Sequence, residues 1–209
     1  IDRGKVMTAE ELEAGKFFGR YTDVDGDGIP FRTYPGTHPT KGAYFTRGTS
    51  RNRMAGYSEK GVDYQDNMER LLKKFHTAAT LVPGPVVKPA TQKTRIGAIY
   101  FGSTSAAMDE ALETLEAKGH HIDAMRVRAF PFGQDVYDFI HAHEEICVVE
   151  QNRDAQLRSL LMIEGGIDPA RLTSILHYDG TPITARFLID AIGKRLDARQ
   201  ATRQITRKS

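Results

Sequence analysis

The stretch from Thr22 to Pro30, "TDVDGDGIP", alternates three carboxylates and closes on a glycine. Oxygen donors at that spacing suit a hard cation, as in the first half of a calcium-binding EF-hand loop. Counted from Asp23, however, the position that needs a bidentate Glu is Tyr34. Pro30 also stands where the loop needs an amide for its short strand pairing, and no helices flank the stretch. The EF-hand is therefore excluded. A looser cation site at Asp23, Asp25 and Asp27 stays open, because carboxylates in a tight turn repel one another unless a cation neutralises them. Arg20, Arg32 or Lys41 would serve there as well as a metal.

The same residues contain Gly26-Asp27-Gly28, which opens the motif that holds magnesium and thiamine diphosphate in some enzymes, and Asn52 lies near the spacing of its closing Asn. That motif needs a buried strand before the Gly-Asp-Gly and a helix N-terminus facing the phosphate. Here "GRYTDVD" is not an apolar strand, and Pro30, Pro35 and Pro39 interrupt a segment with no helical stripe. The match is one of spacing alone.

Two other stretches are dense in reactive side chains. Gly36 to Arg51, "GTHPTKGAYFTRGTSR", places His38, Lys41, Arg47 and Arg51 on a glycine-rich loop that could approach an anion. Tyr44 and Phe45 in its middle point instead to a loop packed on a neighbour, so an interface is the favoured reading. Glu150 to Arg158, "EQNRDAQLR", crowds Gln151, Asn152, Arg153 and Asp154 where a strand ends and a helix begins. Unpaired helix amides await partners at such a turn. Capping by Asn152 or Asp154 is the plainer reading, and a polar interface or anion site is the functional one.

The histidines carry less. His141 and His143, with Glu144 and Glu145, have the elements of a metal set, but residues two apart do not share a helix face. His177 ends the run "LTSILHY", at the edge where α/β sheets place sites, yet a buried, satisfied ring is the expected role. Cys147, inside "ICVV", is the single cysteine. One cysteine allows no internal disulfide and no iron–sulfur cluster, and it suits a reducing, cytoplasmic compartment. It reads as a small core residue.

The elements that must position these residues fall into two textures. From Ile96 onward, "IGAIYFG", "IDAMRVR", "EICVVEQ" and "LTSILHY" are short apolar runs, each followed by a helical pattern. The first helix, "SAAMDEALETLEAKG", has Thr104 or Ser105 as cap and Gly119 as stop. Such alternation predicts an α/β domain with a mostly parallel sheet covered by helices on residues 95–209. Before it, Thr8 and Glu11 form a capping box for a short helix. Gly19 to Gly61 is loop-rich, and "YQDNMERLLKKFHTAATLV" is a helix with Met68, Leu71, Leu72 and Phe75 on one stripe. "PGPVVKPATQKT" has the composition of a linker, which puts a boundary between Pro83 and Thr94. Residues 1–94 are poor in core candidates and are expected to complete a domain begun elsewhere. The chain opens on Ile1 without a start methionine, which is expected of part of a longer chain.

Charge excludes some partners. The net charge of +2 is spread along the chain apart from a basic tail, Lys194 to Lys208, so no nucleic-acid footprint is present. The tail reads as a solvated helix end. No apolar run approaches the roughly 20 residues that cross a bilayer.

The segments "DVDGDGIPFRTYPGTHPTKGAYFTRGT", "RVRAFPF", "VVEQNRDAQLRSLL" and "LHYDGTPITARFL" occur in the order found in one family. The chain resembles the C-terminal part of the alpha subunit of 2-oxoacid:ferredoxin oxidoreductases, of the 2-oxoglutarate type. The resemblance implies an enzyme that converts a 2-oxoacid and coenzyme A to acyl-CoA and carbon dioxide and reduces ferredoxin. It implies thiamine diphosphate, magnesium and an iron–sulfur cluster held mainly by a beta subunit, and none by this part of the alpha subunit. Residues 95–209 would be the three-layer transketolase C-terminal-like domain, and residues 1–94 the end of the pyrimidine-binding domain with its linker. Arg47 and Thr49 would lie nearest the active site or subunit interface. Ser50 and Arg51 depart from the Gly-His pair common at that point of the family, so any role of that histidine is missing.

Overall fold

The computed structural model describes the backbone of residues 2–206 and the side chains of residues 2–199. The chain divides into two compact units, Ile1–Leu81 and Val82–Ser209. Among the described residues, no helix is long and apolar enough to cross a membrane.

The second unit is a three-layer α/β structure. Its sheet has five strands, β1 (Val86–Lys88), β2 (Ile96–Phe101), β3 (Asp123–Val127), β4 (Glu145–Glu150) and β5 (Leu172–Leu176), in the order β1-β3-β2-β4-β5. The four apolar runs expected as strands are β2 to β5, and all three of their pairings are parallel. They are apolar on both sides because helices cover both faces. On one face α3 (Thr104–Ala117) and α6 (Ala185–Thr206) bury Met108, Leu115, Leu188 and Ile192 against Ala98, Tyr100 and Val149. On the other, α4 (Gln134–Ala142) and α5 (Gln156–Gly165) bury Val136, Ile140 and Leu161 against Ile99, Met125 and Val148. Alternate residues of β2 to β5 thus feed opposite cores.

Two local expectations change. The stretch read as a linker contains β1, which pairs antiparallel with β3, Val87 opposite Met125. Pro85 and Pro89 bracket it, and an edge strand tolerates prolines that an inner strand does not. Neither Thr104 nor Ser105 caps α3; Ser103 holds the N-cap position and makes no side-chain bond to the helix amides. The stop is as expected. Gly119 takes φ +84°, and the amides of Gly119 and His120 close on the carbonyls of Glu116 and Leu115. The basic tail from Lys194 is helical through Thr206, and its remainder lies outside the described residues.

The first unit has two helices, α1 (Ala9–Glu13) and α2 (Gly61–Leu81). The capping box of α1 is formed: Glu11 N donates to Thr8 Oγ1 and Thr8 N to Glu11 Oε2. Outside the helices the chain runs as turns and loops with isolated bridges, Val6 to Arg32 and Arg51 to Tyr57. The apolar stripe of α2 is not buried within the described residues. Leu72 is 62% and Phe75 50% exposed, and Met68 is exposed as well. The opposite, polar face holds the loops instead, through Asn67, Arg70 and Thr77.

Candidate functional site

The topology singles out the crevice at the carboxyl ends of β2 and β4. β3 lies on one side of β2 and β4 on the other, so winding reverses there, and open α/β sheets bind ligands at such a point. Two turns meet in the crevice. β2 leads through Gly102 and Ser103 into α3, whose first amides receive no side-chain cap from Ser103. β4 leads through Gln151 and Asn152 toward α5. Gln151 Nε2 donates to Ser103 Oγ and to Thr104 Oγ1, both at 3.2 Å, and so joins the turns. Thr104 is buried and Gln151 is exposed. The crevice therefore offers one exposed amide, two hydroxyls and a helix N-terminus, a set suited to an anionic group.

Glu150 fixes the second turn. It is wholly buried at the end of β4. Its Oε2 accepts from Leu157 N at 2.6 Å and from Asn152 Nδ2 at 2.8 Å, and its Oε1 accepts from Arg158 N at 3.0 Å. A buried carboxylate is tolerable when helix amides surround it in this way. Asn152 Oδ1 accepts from Gln156 N at 3.3 Å and from Asp154 N at 3.1 Å. Asp154 instead pairs with Arg153 Nε at 2.8 Å, on the exposed surface. The expectation of a cap from Asn152 or Asp154 is met in part by Asn152, and the main acceptor is the unforeseen Glu150. In the sequence an acid closing an apolar run reads as the strand's exit into solvent. Of the three polar candidates, only Gln151 reaches across the crevice.

The other titratable candidates of this unit have partners within it. His177 is buried, packs edge-on against Phe187 at 4.8 Å and lies 3.5 Å from Asp179 Oδ1. His143 has Nδ1 on Phe139 O at 2.7 Å and Nε2 on Asp123 Oδ2 at 2.9 Å. Glu145 accepts from Arg195 Nε at 2.6 Å and from Thr173 Oγ1 at 2.8 Å. Burial pushes the Glu145 carboxyl up, but Arg195, Thr173 and Arg199 outweigh it and hold it below the usual glutamate range. Burial pushes the Cys147 thiol up to about 12, which removes the thiolate needed for reactivity. Beside the crevice lies an apolar cleft of about 420 Å³, lined by Phe101, Val127, Phe130, Phe132 and Leu157. Sequence reasoning missed it, although "RAFPF" carries two of its aromatics.

In the first unit the acidic turn is neutralised by lysines rather than by Arg20, Arg32 or Lys41. Lys5 Nζ lies 2.6 Å from Asp25 Oδ1 and 2.7 Å from Asp27 Oδ2, and Lys73 Nζ lies 3.4 Å from Asp23 Oδ2. The three carboxylates approach one another within 4.8 Å, close enough to share a cation, and Lys5 serves as that cation for two of them. Burial raises the Asp27 carboxyl and the Lys5 pairing outweighs it, so it is held below the usual range. For Asp23, burial is outweighed by the amides of Gly28 and Gly26 and by Lys73. The turn is pressed on α2. Gly28 sits at φ +80°, and a Cβ there would meet Lys74 N at 2.4 Å. Asp27 is thus engaged by Lys5 and by Ile29 N, and Asn52 Oδ1 by the amides of Met54 and Gly56. The pair does not fit a magnesium diphosphate site, and a lone buried thiol does not fit an iron–sulfur cluster.

The loop candidates separate. His38 Nδ1 accepts from the amides of Thr40 at 3.1 Å and Lys41 at 2.9 Å, so its Nε2 carries the proton toward Glu13. Lys41 Nζ meets the same carboxylate at 2.9 Å. Both hold the loop to the end of α1. Arg47 lies over the Tyr57 ring at 5.9 Å, and both Arg47 and Thr49 are exposed. Phe45, expected to pack on a neighbour, is 79% exposed in this chain.

No family model and no curated protein matches the sequence. Among solved structures, the chain is similar to 2-oxoglutarate:ferredoxin oxidoreductase from Magnetococcus marinus, a structure with 2-oxoglutarate, coenzyme A and succinyl-CoA bound. The TM-score is 0.73 at 19% identity, over 86% of this chain and 31% of that one. At that identity the likeness is one of fold, and it falls on the family whose motifs the sequence resembles. The alpha chain of a probable 2-oxoacid ferredoxin oxidoreductase from Thermoplasma acidophilum also matches, at 22% identity over 55% of this chain and 97% of that one. Its TM-score of 0.37 carries no structural argument.

Proposed function

We propose that the chain is part of the alpha subunit of a thiamine-diphosphate-dependent 2-oxoacid:ferredoxin oxidoreductase. On this reading the complete enzyme takes 2-oxoglutarate and coenzyme A to succinyl-CoA and carbon dioxide in the cytoplasm, and ferredoxin accepts the electrons. The observation that carries it is the coincidence of two independent signals. The ordered motifs resemble this family, and the fold is similar to a member of it over 86% of the chain.

The chain's own part is assembly. Residues 1–94 belong to the end of a pyrimidine-binding domain, and residues 95–209 form a transketolase C-terminal-like domain. A beta subunit supplies the diphosphate site, its magnesium and the cluster, because the residues here do not fit those groups. When bound in the complex, thiamine diphosphate supplies the carbanion that attacks the keto carbon. This chain's exposed apolar stripe on α2 and the exposed Phe45 are surfaces that an assembly would cover. Arg47 and Thr49, exposed on the same loop, are the residues assigned to the subunit or active-site boundary.

The test is dye reduction by the full-length parent chain co-expressed with its beta subunit, without oxygen. The mixture contains coenzyme A, thiamine diphosphate, magnesium and either 2-oxoglutarate or pyruvate. Reduction with 2-oxoglutarate alone is expected. Reduction with pyruvate keeps the family and changes the substrate. A cluster-loaded complex that reduces with neither overturns the reading.

The crevice between Ser103, Thr104 and Gln151 favours a second reading, a separate α/β domain that binds an anionic metabolite near Thr104, Asn152 and His177. Tight calorimetric binding of a coenzyme A-type ligand by this chain alone, lost in Gln151→Ala, would support it over the first.

A further inference from the structure

Three arginines converge on one ring in the first unit. The guanidinium carbons of Arg20, Arg51 and Arg70 lie 5.2, 5.5 and 5.8 Å from the centroid of Tyr21. They come from separate segments that the backbone draws together. Tyr21 N donates to Arg53 O at 2.9 Å, which sets residues 20–22 beside residues 51–53. Asn67 of α2 donates its side-chain amide to Arg51 O, which brings the polar face of that helix to the same place.

Among the described residues, none of the three has a carboxylate within ion-pair distance. The nearby acids are engaged by other cations: Asp66 by Arg53, at 2.9 Å through Nε, and Asp23 by Lys73. Arg51 and Arg70 each give one N–H to a main-chain oxygen, those of Gly48 and Gly28, both at 3.1 Å. The Nε atoms of Arg20 and Arg70 are buried without an acceptor. Burial, and next the charge of Arg20, push Arg70 below the usual arginine range. Contact with the tyrosine face does not answer the hydrogen-bonding capacity of three guanidinium forks.

We propose that Arg20, Arg51 and Arg70 form an anion site for a phosphoryl or diphosphoryl group of a small molecule. Guanidinium forks bind such oxygens in pairs, and a multiply charged anion relieves the repulsion among three like charges. Tyr21 and Tyr44, the latter 5.5 Å from the Arg20 guanidinium, give the site an aromatic wall. The site stands independently of the oxidoreductase reading.

The test is calorimetric titration of the full chain with inorganic pyrophosphate, with ADP and with succinate, at low salt and at about 0.15 M salt. One equivalent of pyrophosphate is expected to bind at both salt levels, more tightly than succinate. Tighter binding of ADP than of pyrophosphate would assign the site to a nucleoside diphosphate, and equal binding to the phosphates alone. Among the described residues the Arg20 side chain makes no hydrogen bond, and methionine keeps an apolar contact with Tyr21 and Tyr44, so Arg20→Met is expected to weaken binding by roughly tenfold or more with little change in the unfolding midpoint. Arg20→Lys keeps the charge, loses the fork and is expected to fall between. No heat with pyrophosphate, or succinate binding as well as pyrophosphate, would overturn the proposal. So would a wild-type affinity in Arg20→Met.

Discussion

Glu150 shows how one side chain can set a turn. It is the last residue of a fully buried strand, yet its two oxygens answer the first amides of α5 and the side chain of Asn152. Glu150→Ala would leave those amides buried without an acceptor, and a charge-assisted bond to each is lost. The expected cost is about 2–4 kcal/mol in urea unfolding of the chain, with Glu150→Gln intermediate. A cost below about 0.5 kcal/mol would mean that water replaces the carboxylate freely. The sequence showed the crowding at Gln151 to Asp154 but not which residue organised it. Hydrogen bonds to amides seven and eight residues ahead leave no periodic mark. The same holds for Lys5, which reaches Asp25 across twenty residues.

At the scale of elements, legibility followed packing. β2 to β5 were evident because burial on both faces demands short, continuous apolar runs. β1 was not, because a three-residue edge strand between prolines has no pattern to read. α2 was legible as a helix with one apolar stripe, and that stripe is exposed among the described residues. The exposure carries a prediction. Leu72→Ser with Phe75→Ser is expected to leave the unfolding midpoint of this chain within about 0.5 kcal/mol of the original, because both side chains are already exposed. In the complex with a beta subunit, the same double variant is expected to reduce co-purification. Strong destabilisation of the isolated chain would show that the stripe is covered within it.

Over the whole molecule the buried apolar residues are unevenly shared. Both core clusters belong to residues beyond Leu81, and the buried apolar residues of the first unit among those described are Met7, Leu12 and Ala55. Residues 82–209 expressed alone are therefore expected to unfold in a single cooperative urea transition followed by circular dichroism. Residues 1–81 alone are expected to show none, since so little apolar surface does not offset the entropy of ordering the chain. A cooperative transition in the shorter piece would show that its ion pairs and turns suffice.

The seat of the acidic turn on α2 also orders events during synthesis. Asp27 O accepts from Thr77 Oγ1, a partner fifty residues later, and Gly28 lies against the backbone of Lys73 and Lys74 in the same helix. The turn leaves the ribosome first and has nothing to settle on. At translation speeds of about 5–20 residues per second, it waits some seconds for its support to emerge. During that interval Lys5 is the only one of its two lysine clamps yet made, and the segment is held by charge before it is held by shape.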